Sequence, residues 1–253
     1  MKIIQKLIIG SIFTLGAISL AQAAPSVDEI IKQNLQAKGG AEKWDQIKTI
    51  KLTGTMNMQG MELPLEMIQK RPNKLFLSFE VQGMKGVQAY NGKKGWMIMP
   101  FMGKTEAEEM ADDQLKDFKK QADIDGPLKD YKAKGSTIEF VAESEIEGTP
   151  VYELKLTEKD GDISSMYFDT EYMLEIKNKS KVERMGTSME IETIIGNYKE
   201  VEGIIFPHSI STNMGGGAQE IVFNSIEINV EVDDAIFEMP AAKEVSEAAK
   251  KAE

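Results

Sequence analysis

Alternating polar and apolar positions run from Thr49 to Phe101 and predict a series of antiparallel strands. In the first strand, 49–59, the apolar side of the alternation consists of Ile50, Leu52, Gly54, Met56 and Met58. A period of two gives a strand one wet face and one apolar face. The same pattern predicts strands over 61–67, 75–81, 87–90 and 96–99. The predicted sheet has a long, methionine-rich apolar face, so the functional question is what covers it.

A second set of strands is predicted after residue 136, with Gly-containing turns between them. These strands are Thr137–Glu145, Pro150–Glu158, Ile163–Asp169, Tyr172–Asn178, Ser188–Tyr198, Ile204–Asn213 and Gln219–Val230, and the last turn is Gly215-Gly216-Gly217. There is no internal repeat and no linker that divides the chain.

Helical spacing appears before and between the two sets of strands. Ser26 and Glu29 form a capping-box pattern that predicts a helix over 27–38, followed by a short turn of helix over 41–47. Acidic residues precede lysines over 106–120, as the helix dipole favours, and a further helical piece is predicted after Gly126-Pro127, through 131. We therefore expect the helix at 27–38 to cover the apolar face and an insertion at about 101–135 to form a helical lid.

These elements predict a mainly β (α+β) fold. A single large, curled antiparallel sheet forms an unclosed β-barrel, which the N-terminal helix and the lid insertion plug.

The first 23 residues predict a signal peptide. Lys2 and Lys6 precede the apolar stretch 7–20, and Ala21-Gln22-Ala23 is a small-x-small cleavage site. The mature domain is then 24–240 with a flexible tail over 241–253, and the predicted location is the periplasm. The chain has no cysteine, so it forms no disulfide and is not itself a lipoprotein.

The charge balance disfavours nucleic acid as a partner. The chain has 30 basic and 41 acidic residues, and removal of Lys2 and Lys6 changes the net charge from −11 to −13. Such a surface repels phosphate backbones and anionic headgroups. It suits a soluble carrier, although many exported proteins are acidic for solubility alone.

The inventory of catalytic groups is small. His208 is the only histidine, and the chain lacks both a thiol nucleophile and a Gly-x-Ser-x-Gly elbow. A zinc site needs several His or Cys ligands, and Asp160-Gly161-Asp162 lacks the remaining ligands of a calcium loop. We predict no enzyme, no metal and no cofactor. An acid/base enzyme that uses only Asp and Glu stays open at this point.

Methionines are the positive chemical signal. Six lie on the predicted inward faces: Met56, Met58, Met61, Met67, Met97 and Met99. Met is flexible and polarizable, so a Met-lined cavity suits acyl chains, although any single Met also serves to fill a core gap.

Several short motifs occur in a familiar order. They are Lys70-Arg71-Pro72-Asn73, Asn91-Gly92-Lys93, Trp96, Pro100-Phe101, Tyr198, Gly203, Phe206-Pro207 and Ile236-Phe237-Glu238-Met239-Pro240. Over most of the mature chain this order resembles the LolA/LolB-like family of periplasmic carriers that sort outer-membrane lipoproteins. Two departures are Asn91, where the family has Asp, and a longer chain toward the C-terminus.

The resemblance implies an unclosed barrel whose cavity takes the acyl chains of a lipoprotein and delivers it toward the outer membrane. It implies a monomer with loading and unloading partners at the inner and outer membranes. It also implies that Arg71 is a latch that holds the lid closed. On this basis the predicted cavity-lining residues are Leu52, Met56, Met58, Leu63, Leu65, Leu75, Leu77, Phe79 and Trp96.

Three alternative functions stay open. The chain is a protein that binds another lipid, glycolipid or hydrophobic ligand on the same fold, a filled-barrel structural or interaction protein, or, last, a hydrolase that uses His208.

Overall fold

Most of the described chain forms β-strands. The computed structural model describes residues 24–58, 60–184, 187–214 and 217–241. The predicted signal peptide and, from 242 onward, the predicted tail lie outside the described residues, as do Gly215 and Gly216 of the predicted glycine turn.

The strands are β1 (Thr49–Met58), β2 (Met61–Lys70), β3 (Lys74–Val81), β4 (Met84–Tyr90), β5 (Gly95–Met99), β6 (Lys104–Glu109), β7 (Thr137–Ile146), β8 (Thr149–Thr157), β9 (Ile163–Asp169), β10 (Glu175–Arg184), β11 (Thr187–Gly196), β12 (Lys199–Val201), β13 (Ile204–Phe206), β14 (Ser209–Asn213) and β15 (Ala218–Ile228). The α-helices are α1 (Val27–Ala37), α2 (Ala41–Gln46) and α3 (Asp112–Gln121), and short 3-10 helices span Pro100–Met102 and Asp234–Phe237.

Thirteen strands form one antiparallel sheet in the order β6-β5-β4-β3-β2-β1-β15-β14-β11-β10-β9-β8-β7, and β12 and β13 form a separate hairpin. The sheet does not close, because β6 and β7 remain as its two edges. The prediction of an unclosed, curled β-barrel with helical additions is therefore confirmed.

Strand β1 joins the two halves of the sheet. It pairs with β2 on one side and with β15, far along the chain, on the other. The β1–β15 register shifts between Thr53 and Gly54. A Cβ atom at Gly54 would lie 2.1 Å from the carbonyl oxygen of Val222, so only glycine permits this close approach of the two strands.

The capping box of α1 is confirmed, but the helix covers a different surface from the one we predicted. The Glu29 backbone N–H donates to the Ser26 hydroxyl, and the Ser26 backbone N–H donates to the Glu29 carboxylate. Ile30 and Ile31 pack with Leu154 of β8 and Phe168 of β9, in the C-terminal half of the sheet. The helix lies there because the inward faces of β8 and β9 are also apolar and also need to be covered.

The predicted helix over 106–120 is wrong in its first half. Residues 104–109 form the edge strand β6, and α3 begins only at Asp112. Met97 and Trp96 of β5 pair with Glu108 and Glu109, so strand pairing prevails over the helical charge pattern. The piece predicted at 127–131 consists of turns, and the predicted strand 204–213 divides at Pro207 into β13 and β14.

A polar cluster lies where α1 ends. The residue Glu175 is half-buried overall, but its carboxyl group is enclosed by protein, and loss of water raises its pKa to about 7. Asn178 donates a hydrogen bond to this carboxyl at 3.2 Å, and the Tyr198 hydroxyl donates to the Glu175 carbonyl oxygen at 2.6 Å. Lys38, whose ammonium lies 4.5 Å from the Trp44 ring centre, has its pKa lowered by the same desolvation.

Replacing Glu175 with Gln should make the protein more stable at pH 8 than the wild type, with a smaller difference at pH 5. A carboxyl whose folded pKa is raised from 4.5 to about 7 stabilises the fold below pH 4.5, and this contribution is lost as the pH rises through about 7. The loss is at most about 3 kcal/mol. Thermal unfolding across this pH range measures it, with Glu143→Gln, an exposed strand residue, as the control. If the unfolding temperatures of the two variants depended on pH in the same way, the raised pKa would not belong to Glu175.

Candidate functional site

A cavity of about 1120 Å³ lies inside the curled sheet. Its first wall is the apolar face of β1–β5, where one row of paired residues crosses all five strands: Leu52, Met67, Leu77, Gln88 and Met97. The volume is slightly above the usual range for small-molecule sites, which is roughly 300–1,000 Å³.

Of the nine predicted lining residues, six lie in the cavity wall. They are Leu52, Met56, Met58, Leu65, Leu77 and Phe79. Leu63 and Leu75 are buried but lie outside the wall. Leu75 faces the same side of the sheet, where it packs under α3 with Tyr90, Phe118 and Ala122.

The prediction that Trp96 lines the cavity is wrong, because this residue lies on the opposite face of the sheet. Its neighbour Met97 lines the cavity, and successive side chains of a strand point to opposite faces. The Trp96 indole N–H donates to the carbonyl oxygen of Phe237 at 2.9 Å, beneath the 3-10 helix that covers the outer face.

The second wall of the cavity is not among the residues predicted from the sequence. This wall consists of residues from β11, β14 and β15: Thr193, Ile210, Thr212, Gln219, Ile221 and Phe223. The alternation within β15 makes Ile221 and Phe223 detectable as an apolar face. The pairing of β15 with β1, which brings this face opposite β2 and β3, has no local signal in the sequence.

The exposure of residues along β1 shows which end of the cavity is open. Ile50, Leu52 and Met56 are 3%, 9% and 8% exposed, whereas Met58 is 36% exposed. Met102, in the 3-10 helix after β5, lines the same end and is 67% exposed. The mouth therefore lies at the β1–β2 hairpin turn, and the base lies where β1 begins.

Helix α2 forms the base of the cavity. Trp44 is buried against Phe206 of β13, with ring centres 5.4 Å apart, and both residues line the cavity. Ile50 and Ile124 belong to the same apolar cluster.

The insertion after β5 covers one side of the cavity. Met110 and Phe118 pack on Leu75, Tyr90 and Met97 of the sheet. Most of the outward surface of α3 is charged. This cover buries few apolar residues, so opening it costs less than unfolding the sheet would.

Arg71, the predicted latch, connects this insertion to the base. Its guanidinium forms two hydrogen bonds with the Asp125 carboxylate, at 2.6 and 2.7 Å. It also donates to the carbonyl oxygens of Ile47, at 2.6 Å, and Trp44, at 3.0 Å. Such a bidentate pair is both directional and stronger than a neutral hydrogen bond.

The hydrogen bonds from Arg71 lower the pKa of Asp125 to about 2. A depressed carboxyl pKa means that the pair stabilises the fold fully above about pH 4 and that this contribution is lost as the pH falls toward 2. The connection is therefore intact at neutral pH.

A second ionic group holds α3 to the opposite part of the sheet. Lys116 lies 3.0 Å from Asp160 and 2.8 Å from Asp162, and Lys120 lies 2.6 Å from Asp162 and contacts Glu158. These three acidic residues are close enough together to hold a metal ion, but in this structure they bind the lysines. Asp160-Gly161 forms the predicted turn.

His208 is 5% exposed, and its Nδ1 lies 3.2 Å from the Phe206 carbonyl oxygen. It packs inside the fold and is not part of the cavity wall. Within the described part of the chain, every helix is too short or too polar to cross a bilayer.

No family model and no curated protein matches this sequence. Several solved structures resemble its fold, among them the following three. A DUF1329 family protein from Desulfovibrio piger aligns with a TM-score of 0.59 at 12% identity, over 85% of this chain and 98% of its own. A putative outer membrane lipoprotein-sorting protein domain from Vibrio parahaemolyticus aligns with a TM-score of 0.54 at 12% identity, over 83% and 94% of the two chains. A LolA superfamily protein from Nitrosomonas europaea aligns with a TM-score of 0.54 at 12% identity, over 85% of this chain and 98% of its own. This chain therefore has the LolA-like fold that its motifs predicted.

Proposed function

We propose that the protein is a periplasmic carrier that holds the acyl chains of lipoproteins in its cavity and transports them toward the outer membrane. The observation that carries this proposal is the apolar, solvent-accessible cavity inside an unclosed barrel. The likeness in fold to a lipoprotein-sorting domain supports the choice of cargo.

The cavity is long enough for an acyl chain. From Ile50 at the base to Met58 at the mouth, β1 spans about 27 Å. One leaflet of a bilayer holds its chains within about 15 Å. Methionines at several positions of the wall adapt to chains of different shape.

A carrier must also release its cargo. Burying one chain of about 15 methylenes yields about 12 kcal/mol, so several tightly packed chains would not leave. In this proposal the insertion lies over the empty cavity and lifts when cargo enters. When the cargo leaves, the insertion closes again and the Arg71–Asp125 pair re-forms. This closure offsets part of the free energy that is lost when the acyl chain leaves the cavity.

The carrier is proposed to work without catalysis and without a cofactor. Its acidic surface keeps the loaded protein away from anionic headgroups, so loading and unloading partners at the two membranes are proposed to direct transfer. A monomer suffices, since the cavity is formed within one chain.

A different lipid, glycolipid or hydrophobic ligand is the alternative cargo, because the apolar part of the wall would accept any molecule with a long alkyl chain. The cavity favours both binding functions over a filled barrel.

The test is mass spectrometry of the mature protein purified from its native envelope, on both the protein and its organic extract. We expect a co-purified acylated lipoprotein. Free lipid alone would replace lipoprotein by lipid as the cargo. An empty protein that also rejects an apolar dye would overturn the carrier proposal.

A further inference from the structure

The mouth of the cavity has a row of neutral polar side chains on one wall. Thr193 of β11 pairs with Thr212 of β14, which pairs with Gln219 of β15, which pairs with Met58 of β1. All four residues line the cavity. The next row toward the base on the same face is apolar, with Ile210, Ile221 and Met56.

These polar groups have hydrogen-bonding capacity to offer a ligand. The Thr193 and Thr212 hydroxyls lie 3.3 Å apart and bond to each other, which uses one donor and one acceptor of the pair. The Gln219 amide nitrogen donates to the Met56 sulfur at 2.6 Å. A thioether is a weak acceptor, so a carbonyl oxygen would be a better partner for this amide.

The row contains no ionisable side chain, and it lies at the open end of the wall. The base, by contrast, is closed by Trp44 and Phe206. This wall is therefore polar and neutral at the mouth and apolar toward the base, while Lys104 of β6 lines another side of the cavity. Such a wall matches a molecule with a neutral polar group at one end of an alkyl chain.

Resting on the proposed carrier function, we infer that Thr193, Thr212 and Gln219 bind the neutral ester or amide linkage of an acyl ligand, with the chain end directed toward Trp44. The hydroxyls and the amide donate to the carbonyl oxygen of the linkage, and the headgroup stays outside the mouth. A glycerolipid, free or attached to a protein, presents ester linkages, whereas an N-acylated protein terminus presents an amide linkage.

Trp44 allows the orientation to be measured directly. The chain has two tryptophans, and Trp96 lies on the outer face. In the Trp96→Phe variant, fluorescence comes from Trp44 alone. Methyl 16-doxylstearate carries its nitroxide near the chain end, whereas methyl 5-doxylstearate carries it near the ester. We expect the 16-doxyl probe to quench Trp44 more strongly at equal occupancy.

Affinity tests the polar row itself. In the T193V/T212V/Q219L variant we expect the Kd values of 1-monopalmitoylglycerol and N-palmitoylglycinamide, measured by displacement of N-phenyl-1-naphthylamine, to rise about tenfold. The Kd of the dye, which lacks a carbonyl, should stay within about twofold of the wild-type value. The control is T137V/T157V, a cross-strand threonine pair of β7 and β8 outside the cavity. The ligand with the larger loss of affinity, ester or amide, identifies the linkage that the polar row binds.

The outcomes separate this inference from the carrier proposal. Normal dye binding with equal or reversed quenching by the two probes overturns the orientation and leaves the carrier proposal standing. An equal loss for the dye and both acyl ligands, or no loss for any, overturns the role of the polar row. A protein that binds neither dye nor lipid overturns both proposals together.

Discussion

Replacing Leu77 with Glu is expected to abolish uptake of a neutral lipid probe while the protein stays folded. Leu77 lies in the cavity wall, between Met67 of β2 and Gln88 of β4. In the empty cavity a carboxylate at this position stays hydrated, because the cavity is open to solvent. A bound acyl chain would remove that water, and burying an unpaired carboxylate costs several kcal/mol.

The expected loss of affinity is at least about 100-fold, since each factor of ten corresponds to about 1.4 kcal/mol. Displacement of N-phenyl-1-naphthylamine by 1-monopalmitoylglycerol measures it, and circular dichroism with thermal unfolding checks the fold. The matched control is Val141→Glu, which introduces the same charge on β7 at a residue that is 50% exposed. Unchanged uptake by a folded Leu77→Glu protein would show that this row of the sheet does not contact the ligand.

The local part of the fold was predictable from sequence. The hairpins of β1–β5 follow from period-two alternation and glycine or Pro-Asn turns, and six of the predicted lining residues lie in the cavity wall. The position of Trp96 on the outer face is also predictable, because the alternation that turns Met97 and Met99 inward turns Trp96 outward.

The remaining differences have non-local causes. Residues 104–109 have a helical charge pattern, but they complete the sheet edge beside β5. The second wall and the polar row at the mouth depend on the pairing of β1 with β15, which are more than 150 residues apart in the chain. Single residues carry no signal for such a pairing. The resemblance predicted Arg71 as a latch but gave no partner, and the structure places Asp125 there.

Replacing Arg71 with Ala is expected to open the base side of the insertion and to accelerate ligand entry. The Arg71 side chain loses its two hydrogen bonds to Asp125 and those to the carbonyl oxygens of Ile47 and Trp44. Hydrogen bonds between charged groups contribute about 1.5–3 kcal/mol each, so entry of N-phenyl-1-naphthylamine should become about 10-fold faster or more.

Hydrogen exchange locates the opening, because the two ionic connections hold different parts of the insertion. In Arg71→Ala we expect faster exchange over 122–126, while α3 keeps more of its protection through Lys116 and Lys120. The control is Lys70→Ala on the same turn, since Lys70 pairs with Asp234 and not with the insertion. If Arg71→Ala and Lys70→Ala gave the same dye-entry rate and the same exchange pattern, Arg71 would hold the turn in place without acting as a latch. Faster exchange over 122–126 in Arg71→Ala alone would place the moving part of the cover at the junction between α3 and the cavity base.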